Sequence, residues 1–302
     1  MAMMLRLALV VLGAFVIMSH AQASEPTVSA AAVTFVDDTG RRVTLSKPPL
    51  RIISLAPGAT EMLFAAGAGD RVVATVEFSN EPPAAKRVPR IGDVTAVDME
   101  RLVTLRPDIV VVWPGGGNPA QIEKIAQLGI PLYRQQVNRL ADLPASVRRL
   151  GALAADSTVA ERAARALEDQ LQHITHEYGG GKHPSVLLEV WNRPIYTVGG
   201  MQLMSDALTL CGARNAFGDL KELSAVIDTE AVIARNPDVI VAVAPPSEGA
   251  GWLTEWQRFS SLSAVRNGRL IAFEDQGLVR LGPSVLTATV GLCKALAAAD
   301  RG

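Results

Sequence analysis

Trp113 is followed by Pro114-Gly115-Gly116-Gly117. An indole beside a loop without side chains lets a flat apolar ligand approach and stack on it. Packing of the ring under its own loop would account for the pattern equally well. Trp191 and Tyr196, in Val190-Trp191-Asn192-Arg193-Pro194-Ile195-Tyr196, stand in a comparable position in the second half of the chain. Two aromatic sites facing each other across a cleft favour the ligand reading. Pro57-Gly58-Ala59 opens a helix whose free N–H groups can hold acceptor oxygens, or simply be capped. Arg280 sits on a Gly-flanked loop, Gly277 to Pro283, and is either a reach toward a carboxylate, phosphate or amide, or an ordinary surface cation.

Other chemistry is weakly represented. His173 and His176 lie three apart, with Glu177 and His183 nearby, a spacing that can hold a metal. A solvated helix end is the simpler reading, and no metal ligand set is expected. Gly67-Ala68-Gly69 resembles part of a dinucleotide loop but ends a helix and lacks the third glycine. No phosphate-binding Gly-Lys-Ser/Thr loop and no Gly-x-Ser-x-Gly elbow occurs. For a secreted enzyme, Glu81 with Asp93 is the one acid–base pair to nominate. The expectation is no catalytic residue and no cofactor.

These residues need elements to hold them, and the chain repeats its elements. Asp98-Met99-Glu100 leads to Arg106-Pro107-Asp108-Ile109-Val110-Val111, and Asp228-Thr229-Glu230 leads to Asn236-Pro237-Asp238-Val239-Ile240-Val241. Each copy reads as a short helix with an Asp N-cap, stopped before Pro-Asp, feeding a buried β-branched strand. Upstream, Glu61-Met62-Leu63 leads to Gly67, and Asp206-Ala207-Leu208 to Gly212, as if an acid opened each helix and a glycine closed it. The predicted fold is α/β: two similar lobes, each with a central parallel sheet, joined by one long rigid α-helix. In the first lobe, 51–55, 72–76 and 109–113 read as strands, which puts Trp113 at a C-terminal strand end where such sheets bind ligands. From 140 to 178 the chain is rich in Ala, Leu, Arg and Glu, with Leu150, Leu153, Leu167 and Leu171 at helical spacings. Gly179-Gly180-Gly181 ends that run, which reads as the connecting helix, with a possible break. The lobes then fall at 24–139 and 179–302.

Residues 1–23 read as a signal peptide: Arg6, the apolar run Leu7–Met18, and a small-x-small cleavage pattern at Ala21-Gln22-Ala23. Export makes the only two cysteines, Cys211 and Cys293, readable as a disulfide rather than two buried thiols. A formal net charge of −1 with scattered basic residues argues against nucleic acid.

From Arg51 onward the chain resembles the periplasmic cobalamin (vitamin B12)-binding proteins of ABC importers, within the helical-backbone class. The likeness rests on Ile53-Ser54-Leu55-Ala56-Pro57 with Thr60-Glu61, Glu81-Pro82-Pro83, Met99-Glu100-Arg101-Leu102 and Trp113-Pro114-Gly115-Gly116. It continues through Leu210-Cys211-Gly212, Asn215-Ala216-Phe217 and Leu292-Cys293-Lys294. The resemblance implies a monomeric periplasmic carrier of a corrinoid, docking on a permease dimer served by an ATPase. It implies that Trp113 packs on the corrin, that Gly58 and Arg280 line the cleft, and that Cys211 and Cys293 are bonded. Glu100 and Glu230 match carboxylates that dock on permease arginines; on residue type alone both are solvated helix faces. Where family members carry cleft aromatics this chain has Glu81 and Val94, Ser224 and Gln276 also depart, and Trp191 falls one place away. Haem and ferric-siderophore carriers share much of the same frame.

Overall fold

The computed structural model describes residues 32–300 except 155 and 181. The signal-peptide reading and Gly181 lie outside the described residues. A hairpin, β1 (Val33–Val36) and β2 (Arg42–Leu45), leads into β3 (Ile52–Ser54), α1 (Pro57–Ala65), β4 (Val72–Ala74), α2 (Met99–Thr104), β5 (Ile109–Val112), α3 (Pro119–Gln127) and β6 (Leu132–Arg134). Helix α4 (Leu143–Leu150) and the 22-residue α5 (Ser157–Tyr178) follow. The second half runs β7 (Ser185–Glu189), β8 (Trp191–Asn192), β9 (Ile195–Val198), α6 (Leu203–Leu210), β10 (Arg214–Asn215), β11 (Ser224–Ile227), α7 (Thr229–Arg235), β12 (Val239–Val243) and α8 (Gly249–Trp256). It closes with α9 (Ser263–Arg266), β13 (Leu270–Phe273), α10 (Gly277–Arg280) and α11 (Ser284–Ala299).

Each half builds a four-stranded parallel sheet. The orders are β4-β3-β5-β6 and β10-β7-β12-β13, so both place the second strand outside the first and then add the third and fourth. The repeated motif explains why. Asp98 Oδ1 accepts from Arg101 N at 2.9 Å and Asp228 Oδ1 from Ala231 N at 2.8 Å, capping α2 and α7. Both helices stop at a left-handed residue before proline, Arg106 (φ 45) and Asn236 (φ 43). The next Asp then fastens the first strand of its lobe. Asp108 Oδ2 accepts from Leu50 N and Arg51 N at 2.8 and 2.9 Å, and Asp238 Oδ2 from Ser185 N at 2.8 Å.

Strand residues alternate between two faces. On β5 and β12, Ile109 and Val111, and Val239, Val241 and Val243, point into one continuous core. Val110 and Val112, and Ile240 and Ala242, point to separate outer cores. The inner core also takes in Leu140, Leu143, Val147 and Leu150, all fully buried, together with Leu167 and Ile174 of α5 and Leu292 and Leu296 of α11. The connecting helix is α5. The break within 140–178 falls at a 3₁₀ turn, Gly151–Leu153, that lets α4 fold back along α5. Gly151 permits this because a Cβ there would meet Ala160 Cβ at 2.6 Å. Arg148 clamps the pair, bonding Glu161 at 2.7 Å and Glu168 at 2.6 Å. A disulfide joins Cys211 at the end of α6 to Cys293 of α11.

Helices α1 and α6 begin four and three residues before the acids expected to open them. Pro57 takes the first turn of α1, and Gln202 caps α6 by accepting from Met204 N at 2.6 Å. The acids instead reach across to other segments. Glu61 accepts from Ser284 N at 2.5 Å and Ser284 Oγ at 2.8 Å, and Asp206 accepts from Leu140 N at 2.6 Å. Asp238→Ala is expected to cost about 1–3 kcal/mol of stability, because it strands the N–H of buried Ser185. The loss should be smaller at Asp108→Ala, because the partners Leu50 and Arg51 are exposed and can turn to water, and urea denaturation of the two variants measures the order.

Candidate functional site

The C-terminal ends of the first sheet open onto a cleft. Past β3 the chain turns into α1 at Ala56-Pro57-Gly58; past β5 it makes the Trp113 loop; past β6 it places Gln135 and Val137. Opposite stands the C-terminal end of α10, Val279-Arg280-Leu281, a short helix where the sequence reads as a loop. Together these residues, with Ala59, Phe78 and Val94, enclose a cavity of about 210 Å³. Among the described residues that line it, Gln135, Arg280 and the Trp113 indole N–H supply the polar side-chain groups. A second cavity of about 190 Å³ adjoins it, sharing Trp113, Val137 and Leu281, and takes in Gly115, Met201 and Leu223. The two meet at Trp113 and form one trough along the cleft, mostly apolar on the side of Phe78 and Val94 and mixed on the other, where Gln136, Asn138 and Gln202 join the wall.

Local geometry holds this trough open and shaped. A Cβ on Gly116 would overlap the Trp113 ring, and one on Gly115 would lie 2.9 Å from Trp113 Nε1, so the glycines let the indole lie flat on its own loop. A Cβ on Gly58 would come within 2.6 Å of Leu281 O, so glycine permits closest approach of the two walls. No side chain caps the start of α1, so the N–H groups of its first turn have no side-chain cap, and Gly58 and Ala59 of that turn line the cavity. Two cleft residues, Phe78 (φ 63) and Leu281 (φ 59), occupy the left-handed region that side chains disfavour, and such strain concentrates at functional sites. Phe78 is 75% exposed. Behind it, a buried hydroxyl chain fixes the loop: Thr75 Oγ1 to Ser79 Oγ at 2.9 Å and Thr60 Oγ1 to Thr75 Oγ1 at 2.6 Å.

Arg280 is held by its neighbours rather than free. Its Nη1 donates to Ser284 Oγ at 3.2 Å, and the same hydroxyl donates to Glu61. Burial pushes the Glu61 carboxyl above its ordinary value; the Ser284 donors and the Arg280 charge pull it back, and the Glu81 charge pushes it further up.

The structure thus brings together Pro57, Gly58, Trp113, Gly115, Gly116 and Arg280. Trp191 and Tyr196 do not line either cavity. They stand opposite each other on β8 and β9, with Val226 next in the row on β11, and Trp191 is half exposed and edge-on to Trp252 at 6.1 Å. Glu81 also lies off the cavity linings. Glu100 and Glu230 are exposed in the first turns of α2 and α7, at equivalent places in the two lobes. Among the described residues no cluster of metal-ligating side chains occurs, His173 and His176 included. Sequence reading missed Phe78, Leu281 and Met201. An isolated aromatic after a strand was the available signal for the first; nothing in residue type marks the other two.

Two parallel-sheet lobes on a shared helical spine, with a trough between them, define a two-lobed solute-binding protein. The comparisons narrow this. A family model described as "Periplasmic binding protein" matches residues 52–276. A vitamin B12-binding protein of Vibrio cholerae is 31% identical over 270 residues, 89% of this chain and 97% of its own. The crystal structure of the periplasmic vitamin B12 binding protein BtuF of Vibrio cholerae superimposes with a TM-score of 0.78 at 30% identity, over 84% of this chain and 99% of that one. A periplasmic heme-binding protein, RhuT from Roseiflexus sp. RS-1, gives 0.70 at 25% identity, over 82% and 98%. The chain belongs to the periplasmic binding protein family.

Gly116→Ala is expected to push the Trp113 ring off its loop, shifting one indole N–H resonance while the rest of the amide spectrum stays in place. Glu61 supplies a pH test. A carboxyl raised in the folded state contributes stability below its ordinary value of 4.5 and loses that contribution as pH rises. Relative to Glu61→Gln, the native protein should therefore lose stability from pH 4.5 upward in urea titrations; a difference growing the other way would contradict the burial argument.

Proposed function

We propose that this chain is a periplasmic carrier that captures a corrinoid of the vitamin B12 type in the trough and delivers it to an ABC importer. The observation that carries the reading is the trough centred on Trp113, apolar at one end and mixed at the other, in a chain whose likeness to vitamin B12-binding proteins runs through both lobes. Trp113 stacks on the flat face of the ligand. Gly115 and Gly116 seat the indole flat on its loop, Pro57 walls the trough, Gly58 presents a backbone donor from α1, and Arg280 meets a polar edge group. Trp191, Tyr196 and Glu81 act at the rim, where a ligand larger than the trough extends past it.

The carrier makes and breaks no bonds and needs no cofactor. It works as a monomer, exported after loss of residues 1–23, with lobes at 24–139 and 179–302 and the linker at 140–178. Glu100 and Glu230 dock it on a permease dimer, and the importer's ATPase supplies the energy. Their equivalent positions suit a two-fold partner surface.

Calorimetric titration with cyanocobalamin, dicyanocobinamide and haem in parallel tests this reading. One-to-one corrinoid binding is expected, and Trp113→Ala should weaken it by about 2 kcal/mol, or about thirtyfold. The second reading is a haem carrier, favoured by the heme-binding relative of similar fold. Tight haem binding with no corrinoid heat would keep the fold and replace the ligand.

A further inference from the structure

A larger cavity, about 400 Å³, lies in the second lobe away from the trough, and its floor is a buried acid. Glu189 ends β7 and is 2% exposed. Registers Ile52 with Ile109 and Val186 with Val239 make Leu55 its counterpart in the first lobe, where the equivalent buried place is apolar. Burying a carboxyl where leucine would serve costs stability unless the group is matched. Trp256 Nε1 donates to Glu189 Oε2 at 2.7 Å. No protein donor reaches Oε1 among the described residues. Since no fully buried polar atom lacks a partner, that oxygen faces the cavity.

The rest of the lining limits what can meet it. Ile195 and Ile227, on the face of the small sheet opposite Tyr196 and Val226, form an apolar wall, and Phe259 forms another. Of the charged neighbours, Arg193 is bonded to Glu255 and Asp228 caps α7. Glu230 is exposed on the rim and Arg258 stacks on the Phe259 ring at 4.8 Å without a carboxylate partner among the described residues. The ring face therefore already accepts a planar cation. Burial pushes Glu189 up to about 7, with Trp256 pulling down and the Glu255 charge adding to the rise. Near neutral pH it has the capacity to ionise once a cation arrives.

We infer that this cavity takes one guanidinium group, from an arginine side chain of the permease surface that meets Glu230, with its stem along Ile195 and Ile227 and its head on Glu189 Oε1. The chemistry stands on the cavity; the source of the arginine rests on the docking role proposed for Glu230.

The two are tested separately. N-acetyl-arginine amide is titrated at pH 8 and followed by the Trp256 indole N–H resonance. Saturable binding is expected, about tenfold weaker in Glu189→Gln and absent for the neutral citrulline analogue. Arg258→Ala, an exposed change, should tighten binding about threefold by freeing the ring face. No saturable shift in the native protein, or equal binding by Glu189→Gln, overturns the site. Docking on the reconstituted permease is then compared: Glu189→Gln should weaken it about tenfold with corrinoid affinity unchanged. Unaltered docking overturns the permease as source. Failure of the native protein itself to dock, with arginine amide still bound, removes the transport reading and leaves the guanidinium site standing.

Discussion

The structure depends on one constraint: the inner faces of both sheets bury into the same core. Every second residue of β5 and β12 enters it, and α4, α5 and α11 fill the space between. Leu140, Leu143, Val147 and Leu150 are each fully buried in it. At about 1.5 kcal/mol or more apiece, the four contribute on the order of 6 kcal/mol, comparable with the whole stability of a domain.

Two carboxylates add to the same effect. Glu61 and Asp206 lie in equivalent helices of opposite lobes, and each reaches a backbone N–H of a distant segment, Ser284 and Leu140 respectively. Their bonds cross the waist of the molecule on either side of the trough. Gly58 and Leu281 complete the contact without side chains, which brings the start of α1 against the turn that carries Arg280. Arg280, Ser284 and Glu61 thereby form one connected polar string beside an apolar floor.

Much of this was legible in the chain. Asp caps, Pro-Asp stops and β-branched runs act over a few residues, so the repeat yielded both sheets, α2 and α7, and the strand end that carries Trp113. Cys211 and Cys293 followed from export and from the resemblance. Tertiary matters were not legible. Glu61 and Asp206 looked like helix openers because their partners are far away in sequence. Phe78 and Leu281 take left-handed backbone that residue type disfavours, so only the surrounding packing reveals them. Trp191 and Tyr196 share one face of a three-stranded sheet, and which face meets the trough depends on how that sheet packs on β7.

The matching strand orders have a further consequence. Two separate copies of one half, paired about an axis, would present identical walls to whatever lay between them. Joined in a single chain, the halves are free to diverge, and they have: Trp113 follows β5 where buried Val243 ends β12, and Leu55 stands where the other half has Glu189. The frame is thus symmetric in its strand order and handed in its walls, while its outer surface keeps the two-fold likeness of Glu100 and Glu230.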